Sequence, residues 1–300
     1  MGRGGGGHDG PDGLVVVDKP AGWTSHDVVA KSRGLLGTRK VGHAGTLDPD
    51  ATGVLLLGVG RATKLLRYLS PLGKAYVGEV VLGVETSTLD AAGEVTATHD
   101  MAGTTLDDVR RAAGAFVGDI EQIPPMVSAV KVGGKRLHEL ARQGIEVERQ
   151  PRPVTVHTLD VLPGPEGEPL VVTIAVSCSS GTYVRTLAAD LGAALGGGAH
   201  LRNLRRTSVG PYTLADAVAL EEVSPEVVRP MVEAVRHLDQ VVVGAEVEAD
   251  VAVGKVLVRD VLGAGAGDGP WAVLADDGHL LAVYEPFRGD TLKPSLVIPG

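Results

Sequence analysis

Apolar and polar positions run along the chain in short blocks whose period changes several times. Leu14–Asp18 (LVVVD) is an apolar run ended by Lys19-Pro20, the pattern of a buried strand. Thr24 or Ser25 can cap a helix that runs to about Leu36, where Gly34 and Gly37 weaken and end it. Residues 41–53 (VGHAGTLDPDATG) hold three glycines and a proline without any period, so they read as a loop. Val54–Val59 is strand-like again, and Ala62–Leu69 is helical. Ala75–Leu82 and Glu94–Thr98 read as strands joined by a turn-rich stretch, and Thr105 with Asp108 opens a helix to about Phe116. Ile123-Pro124-Pro125 breaks structure. Val127–Val132 reads as a strand entering a tight turn at Gly133-Gly134, followed by a short helix over Leu137–Gln143. Val154–Leu162 and Leu170–Ser177 are strands, Thr182–Leu195 a helix, and Gly196–Gly198 a linker. Strands and helices mix without βαβ alternation, which predicts an α+β fold. Past Leu238 the Val-rich runs and Gly-rich turns predict a small all-β domain at 238–300, after a flexible tail at 1–12 and a main domain at 13–237.

Composition narrows the classes. The single cysteine, Cys178, excludes an internal disulfide and fits a reducing compartment such as the cytoplasm. It sits in the apolar run VTIAVSCSS, the setting of an interior residue. The nine histidines are scattered with no pair at zinc-ligand spacing, so no metal is expected. The apolar runs fall far short of a membrane span, and the polar, Gly-rich start has no signal-peptide core. A net charge of −9 argues against a polyanionic partner only if it is uniform, and it is not. Lys31–Lys74 carries eight basic and two acidic residues, whereas His237 to the end carries four basic and ten acidic. The basic stretch is either a solvated face or a cleft for phosphates.

Several motifs dissolve on inspection. Asp48-Pro-Asp50-Ala-Thr52-Gly53 starts like a calcium loop, but Val59 stands where a bidentate glutamate belongs. Gly58-Val-Gly60 lacks the third glycine of a dinucleotide fingerprint, and Ser179-Ser180-Gly181 is no nucleophile elbow. Asp48 keeps its interest: Pro49 pushes it out of helical geometry, and three flanking glycines let a ligand approach. Arg185, in the first turn of its helix, is a candidate partner that would hold the carboxylate ionised. Tyr76 is a candidate flat surface in an aromatic-poor chain.

GHAGTLDPDATGVLLLGVGRATK (42–64) closely resembles the catalytic loop of the TruB family of tRNA pseudouridine synthases. The resemblance continues through 14–29, 74–95, 122–144, 177–192 and 199–212 in the family's order, about 200 residues in all. It implies a pseudouridine-synthase-type mixed sheet flanked by helices, with a small PUA-like β domain at the C-terminus. It also implies isomerisation of uridine in the T-loop of tRNA (position 55) on a flipped-out base, with a tRNA-folding role alongside. No cofactor, membrane or protein partner is implied. Carried over residue by residue, Asp48 matches the nucleophile, Tyr76 the tyrosine that packs on the uracil and a candidate base, and Arg185 the arginine paired with the carboxylate. Tyr183 and Leu204 match pocket residues, His43 the histidine that holds the opened T-loop, and Lys64 a second basic group near the nucleophile. Attack at C6 of the base or at C1′ of the ribose stays open. Two rivals are a non-catalytic RNA-binding module on the same scaffold and a glycosidase. Intact Asp48, Tyr76 and Arg185 speak against the first, and missing sugar platforms against the second. Phosphate contacts are expected from the basic stretch and from Arg202, Arg205 and Arg206, leaving a chain cut near Leu238 still competent in chemistry.

Overall fold

The structure, a computed structural model, describes residues 10–128, 131–132, 135–136, 145 and 147–298. The Leu137–Gln143 helix lies outside the described residues. The chain opens with β1 (Gly13–Lys19), a helix at Ser25–Leu35, β2 (Val41–Ala44) and β3 (Thr52–Val59). A 3₁₀ turn at Gly60–Leu65 runs into a helix at Leu66–Leu69, then β4 (Lys74–Leu82), β5 (Val84–Thr86) and β6 (Val95–Thr98). A helix at Leu106–Ala113 precedes β7 (Gly118–Gln122), the short pair β8 (Lys131–Val132) and β9 (Lys135–Arg136), β10 (Arg152–Pro163) and β11 (Val171–Cys178). The helix Val184–Ala194 leads to β12 (Ala199–Val209), β13 (Tyr212–Thr213) and β14 (Val218–Ala219). The last stretch holds β15 (Asp239–Val242), β16 (Leu257–Val258), β17 (Trp271–Leu274), β18 (Leu280–Pro286) and β19 (Thr291–Val297), with short helices at Ala245–Ala252 and Arg259–Leu262.

Among the described residues, ten strands form one mixed sheet in the order β14-β1-β3-β12-β4-β11-β10-β7, with β2 on β3 and β13 on β12. Five more form a second sheet, β15-β17-β18-β19-β16. Local chemistry explains much of this. Thr24 and Asp27 make a reciprocal capping box on the first helix, and Thr105 and Asp108 do the same on Leu106–Ala113. β3 is almost wholly buried because it lies inside the sheet between β1 and β12.

Three expectations change. The N-terminal part of 41–53 is strand β2, paired with β3 from Val41↔Val59 to Ala44↔Leu56, so the loop proper is only 45–51. β7 and β12 escaped the period search altogether. In β12 the register against β4 slips between Arg202 and Arg205, and Asn203 turns to φ +52°, so the inward leucines 201 and 204 lie three apart. A bulge of this kind hides a strand from a search for period two. Third, β12's arginines are already spoken for. Arg202 pairs with Glu79 and Glu168, Arg205 with Asp18, and Arg206 is 1% exposed. Arg206 is thus closed off from the RNA backbone, while Arg202 and Arg205 reach the surface already engaged in ion pairs.

The two sheets share apolar contacts. Leu14, Val16 and Val209 of the first, with Leu69 of the Leu66–Leu69 helix, pack in one cluster with Ala272, Leu274, Leu280, Val283 and Ile298. Ser295 on β19 adds a polar clasp, with its hydroxyl 2.6 Å from the Tyr68 hydroxyl and its carbonyl accepting from Arg67 at 3.0 Å. Cutting the chain near Leu238 would bare those residues, so the competence expected of the N-terminal part depends on its staying folded without them. Leu280→Ala should cost about 3 kcal/mol in urea unfolding, as a buried leucine does on truncation. Probes on either sheet should then report the same shifted midpoint; separate transitions would show that the shared cluster does not couple them.

Candidate active site

Asp48 stands on the loop 45–51 between β2 and β3, and the loop's backbone is gripped from three sides. The Ser25 hydroxyl accepts from the Leu47 N–H at 2.9 Å and donates to its carbonyl at 3.2 Å. Lys19, wholly buried, donates to the carbonyls of Pro49 (2.8 Å), Trp23 (2.7 Å) and Pro20 (3.0 Å). Burial pushes its pKa down to about 8, with Asp50 and Asp48 opposing. Arg206 donates to the carbonyls of Val54 (2.7 Å) and Gly45 (3.1 Å), with Thr46 at 3.5 Å. Gly53 is forced by this grip: its φ is +102°, and a Cβ there would sit 2.1 Å from the Arg206 carbonyl oxygen.

Arg185 reaches the loop from the first turn of Val184–Ala194. Its Nε lies 3.0 Å from Asp48 Oδ2 and its Nη2 3.3 Å from Oδ1, a two-point contact. The remaining donors go to the Thr88 carbonyl (3.0 Å), the Val127 carbonyl (2.8 Å) and Asp90 Oδ2 (3.2 Å). The guanidinium is 5% exposed, while the Asp48 side chain keeps 43% of its surface at the cavity mouth. The expected lowering of the Asp48 pKa is reversed. Its partial burial pushes the carboxyl up, Arg185 pulls it down, and the like charge of Asp90 adds to the rise.

One cavity of about 370 Å³ is lined by Asp48, Tyr76, Tyr183, Arg185 and Leu204, so five of the seven expected residues meet there. A second, of about 510 Å³, adjoins it across Asp48, Arg185 and Leu204. Tyr76 comes from β4, directly opposite Arg206 of β12, which hydrogen-bonds its side chain. Burial raises the phenol and Arg206 draws it back. Tyr183 caps its helix and is fixed by Gln122, whose amide exchanges bonds with the Tyr183 N–H (2.9 Å) and carbonyl (3.3 Å). Burial raises this phenol too.

His43 and Lys64 do not join that lining. His43 lies on β2 with its ring edge-on to His26 at 5.2 Å, and burial, with His26 and Arg206, pushes its pKa down to about 4. It is neutral at physiological pH. Lys64 is exposed on the 3₁₀ turn at the far end of β3, an eight-residue strand, roughly 25 Å of chain from the loop. The basic groups near Asp48 are Lys19 and Arg185, with Lys74 in the cavity wall. Period analysis missed Lys19, Ser25, Lys74, Asp90 and Arg206. Only Lys19, stranded at the end of an apolar run before a proline, carried a local signal.

The site thus sets a carboxylate–guanidinium pair beside a buried tyrosine on a mixed sheet, with a second β sheet docked behind. The model of the TruB family pseudouridylate synthase N-terminal domain matches residues 33–184, and that of the tRNA pseudouridylate synthase B C-terminal domain matches 185–248. The chain belongs to the TruB family. A protein of Arthrobacter sp. (strain FB24) named tRNA pseudouridine synthase B is 49% identical, covering 95% of this chain and 96% of its own. One of the same name from Thermobifida fusca is 46% identical over 96% and 99%. Among solved structures, a chain of a Cbf5-Nop10-Gar1 complex aligns with a TM-score of 0.74 and 29% identity, over 96% of this chain and 85% of that one. In the described residues no helix is long and apolar enough to cross a membrane.

Two outcomes follow from this geometry. Arg185→Lys keeps the charge but loses the fork, so turnover should fall about a hundredfold; near-parental rates would reduce the pairing to simple charge. With Asp48 reacting as its carboxylate, its raised pKa means that turnover should be lost on acidification above the ordinary aspartate value of 3.8. Asp90→Asn removes a like charge and should move that acid limb to lower pH. An unmoved limb would assign it to another group.

Proposed function

We propose that this chain converts uridine to pseudouridine in the T-loop of tRNA, at position 55, with the base turned out of its stack. The two-point contact between Asp48 and Arg185, in one cavity with Tyr76, carries this reading within the family already established. The reaction breaks N1–C1′, turns the uracil and joins C5 to C1′. Nothing is oxidised and no group is donated, so no cofactor is needed. Asp48 acts as nucleophile at C6 or C1′, and Arg185 aims both carboxylate oxygens. Tyr76, whose phenol burial keeps protonated, offers its ring to the base; Tyr183 and Leu204 close the walls. Extruding the base costs a few kcal/mol, which the loop contacts must return.

In this reading His43 and Lys64 work on the RNA from outside the cavity. His43, neutral beside the loop, steadies the opened T-loop, and Lys64 meets phosphate together with the exposed Lys31, Arg39 and Lys40. Residues 13–237 form the catalytic part and 238–300 a PUA-like part. Opening and re-closing the T-loop gives the protein a tRNA-folding role as well, and the place of work is the cytoplasm.

The test is a T-arm stem-loop carrying uridine or cytidine at the target position, with pseudouridine mapped by chemical adduct formation. The parent should convert only the uridine RNA. Asp48→Asn should lose about a thousandfold or more in turnover with little change in RNA affinity. Because burial disfavours the ionised carboxylate, its thermal midpoint at neutral pH should not drop. Turnover within about tenfold of the parent would remove Asp48 from the nucleophile role.

A further inference from the structure

Two cations other than Arg185 are sealed into the cavity wall. Arg206 is 1% exposed and Lys74 7%. Among the described residues Lys74 feels Arg206 of β12 and Cys178 of β11, and Arg206 interacts with Tyr76 of β4 and with the basic groups Lys19, His43 and Lys74. Among those residues neither cation makes an ion pair with a carboxylate, although Asp48 lines the same cavity. Arg185, by contrast, has two, Asp48 and Asp90. An unmatched buried cation is strongly unfavourable unless negative charge reaches it. Backbone carbonyls supply part of that need: Lys74 Nζ donates to Ser70 at 2.8 Å and Leu72 at 2.6 Å. An ammonium has three N–H donors, so one remains for the cavity that Lys74 lines. Arg206 lines the same cavity and is hydrogen-bonded to Tyr76. The Ser70 and Leu72 carbonyls fix Lys74, and those of Val54 and Gly45 fix Arg206, before any substrate arrives, which is the condition for stabilising charge as it develops.

The isomerisation creates such a charge. Whether Asp48 has added at C1′ or at C6, heterolysis of N1–C1′ leaves the bonding pair on the base, which is then an anion. C5 next bonds to C1′ as the Asp48 oxygen leaves the carbon it had joined and takes its electron pair back as carboxylate, the C5 hydrogen leaves as a proton, and N1 takes up a proton, so atoms and electrons balance without any co-reactant. We propose that Lys74 and Arg206 are the counter-charge for the detached uracil anion. This rests on the reading that the cavity works on uridine. It divides the cavity in two, with Asp48 and Arg185 serving the sugar side and the Lys74–Arg206 wall serving the leaving base. Burial, with Arg206 adding, pushes the Lys74 pKa down to about 8. The lysine is therefore charged at neutral pH and discharged in alkali.

A leaving-group comparison tests the idea. Two T-arm stem-loops, one with uridine and one with 5-fluorouridine at the target position, are followed in single turnover by loss of the original nucleoside at neutral pH. Fluorine withdraws electron density and makes the base a better anion. Lys74→Met should slow the uridine RNA by about a hundredfold or more, with RNA affinity within about threefold of the parent. On the fluorinated RNA the deficit should shrink by about tenfold, because that anion needs the cation less. Lys74→Gln keeps a donor toward the Ser70 and Leu72 carbonyls but drops the charge, and should show the same pattern. Lys74→Arg should recover most of the rate. Should the Met variant fail to fold, the Gln variant carries the comparison. Equal deficits on the two RNAs would reduce Lys74 to holding the 70–72 turn and overturn the proposal. If the parent consumed neither RNA, the reading of the cavity as a uridine site would fall instead.

Discussion

The guanidinium of Arg206 lies inside the sheet and holds carbonyls of β3 and of the Asp48 loop at once, while it also hydrogen-bonds Tyr76. Much of the cavity depends on that one group. A loop with no strand neighbours has peptide groups that water would otherwise take; here a buried cation takes them, and Lys19 and Ser25 complete the hold. The Asp48 loop is thereby held on several sides without being a strand. The same arrangement dictates Gly53, since any side chain there would meet the Arg206 backbone. The carboxylate of Asp48 arrives at Arg185 already aimed, so little ordering is left for the moment of reaction.

The second sheet belongs to the same mechanical unit. Leu66, at the start of the Leu66–Leu69 helix, closes on Gly42 and Gly58, where a Cβ would stand 3.0 Å from it. Tyr68 and Arg67 of that helix clasp Ser295 of β19, and Ser70 just past its end lines the cavity and accepts from Lys74. A chain of packed contacts thus runs from the C-terminal sheet to the cavity wall. Contacts alone are a spatial argument, and two discrete states would be needed before calling it a switch.

How much of this the sequence shows depends on the element. β4 and β11 are legible because each alternates buried and less buried positions in unbroken mutual register, and β1 because it is a short apolar run buried on both faces. Asp48, Arg185 and Tyr76 could be nominated from local chemistry, a carboxylate before proline, a cation at a helix start and a rare aromatic. Bringing them together needed the sheet order, which no local period encodes. β12 stayed hidden because its bulge at Asn203 breaks the alternation and its charged residues look like surface. For the same reason Arg206 read as a phosphate contact, when its neighbours on β3 and β4 enclose it. Lys64 erred in the opposite sense: it is near Asp48 in the sequence, and β3 carries it away.

Cys178 sits opposite Lys74 in the sheet, with no measurable exposure and its thiol against the Lys74 carbonyl. Burial also raises its pKa, which keeps it in the unreactive protonated form. Since it is the chain's single cysteine, the folded protein presents no competing thiol to a maleimide. A cysteine introduced on an exposed turn would therefore take a fluorophore at one known place with the native sulfur left untouched, which gives this chain a silent background for distance measurements on RNA as it docks.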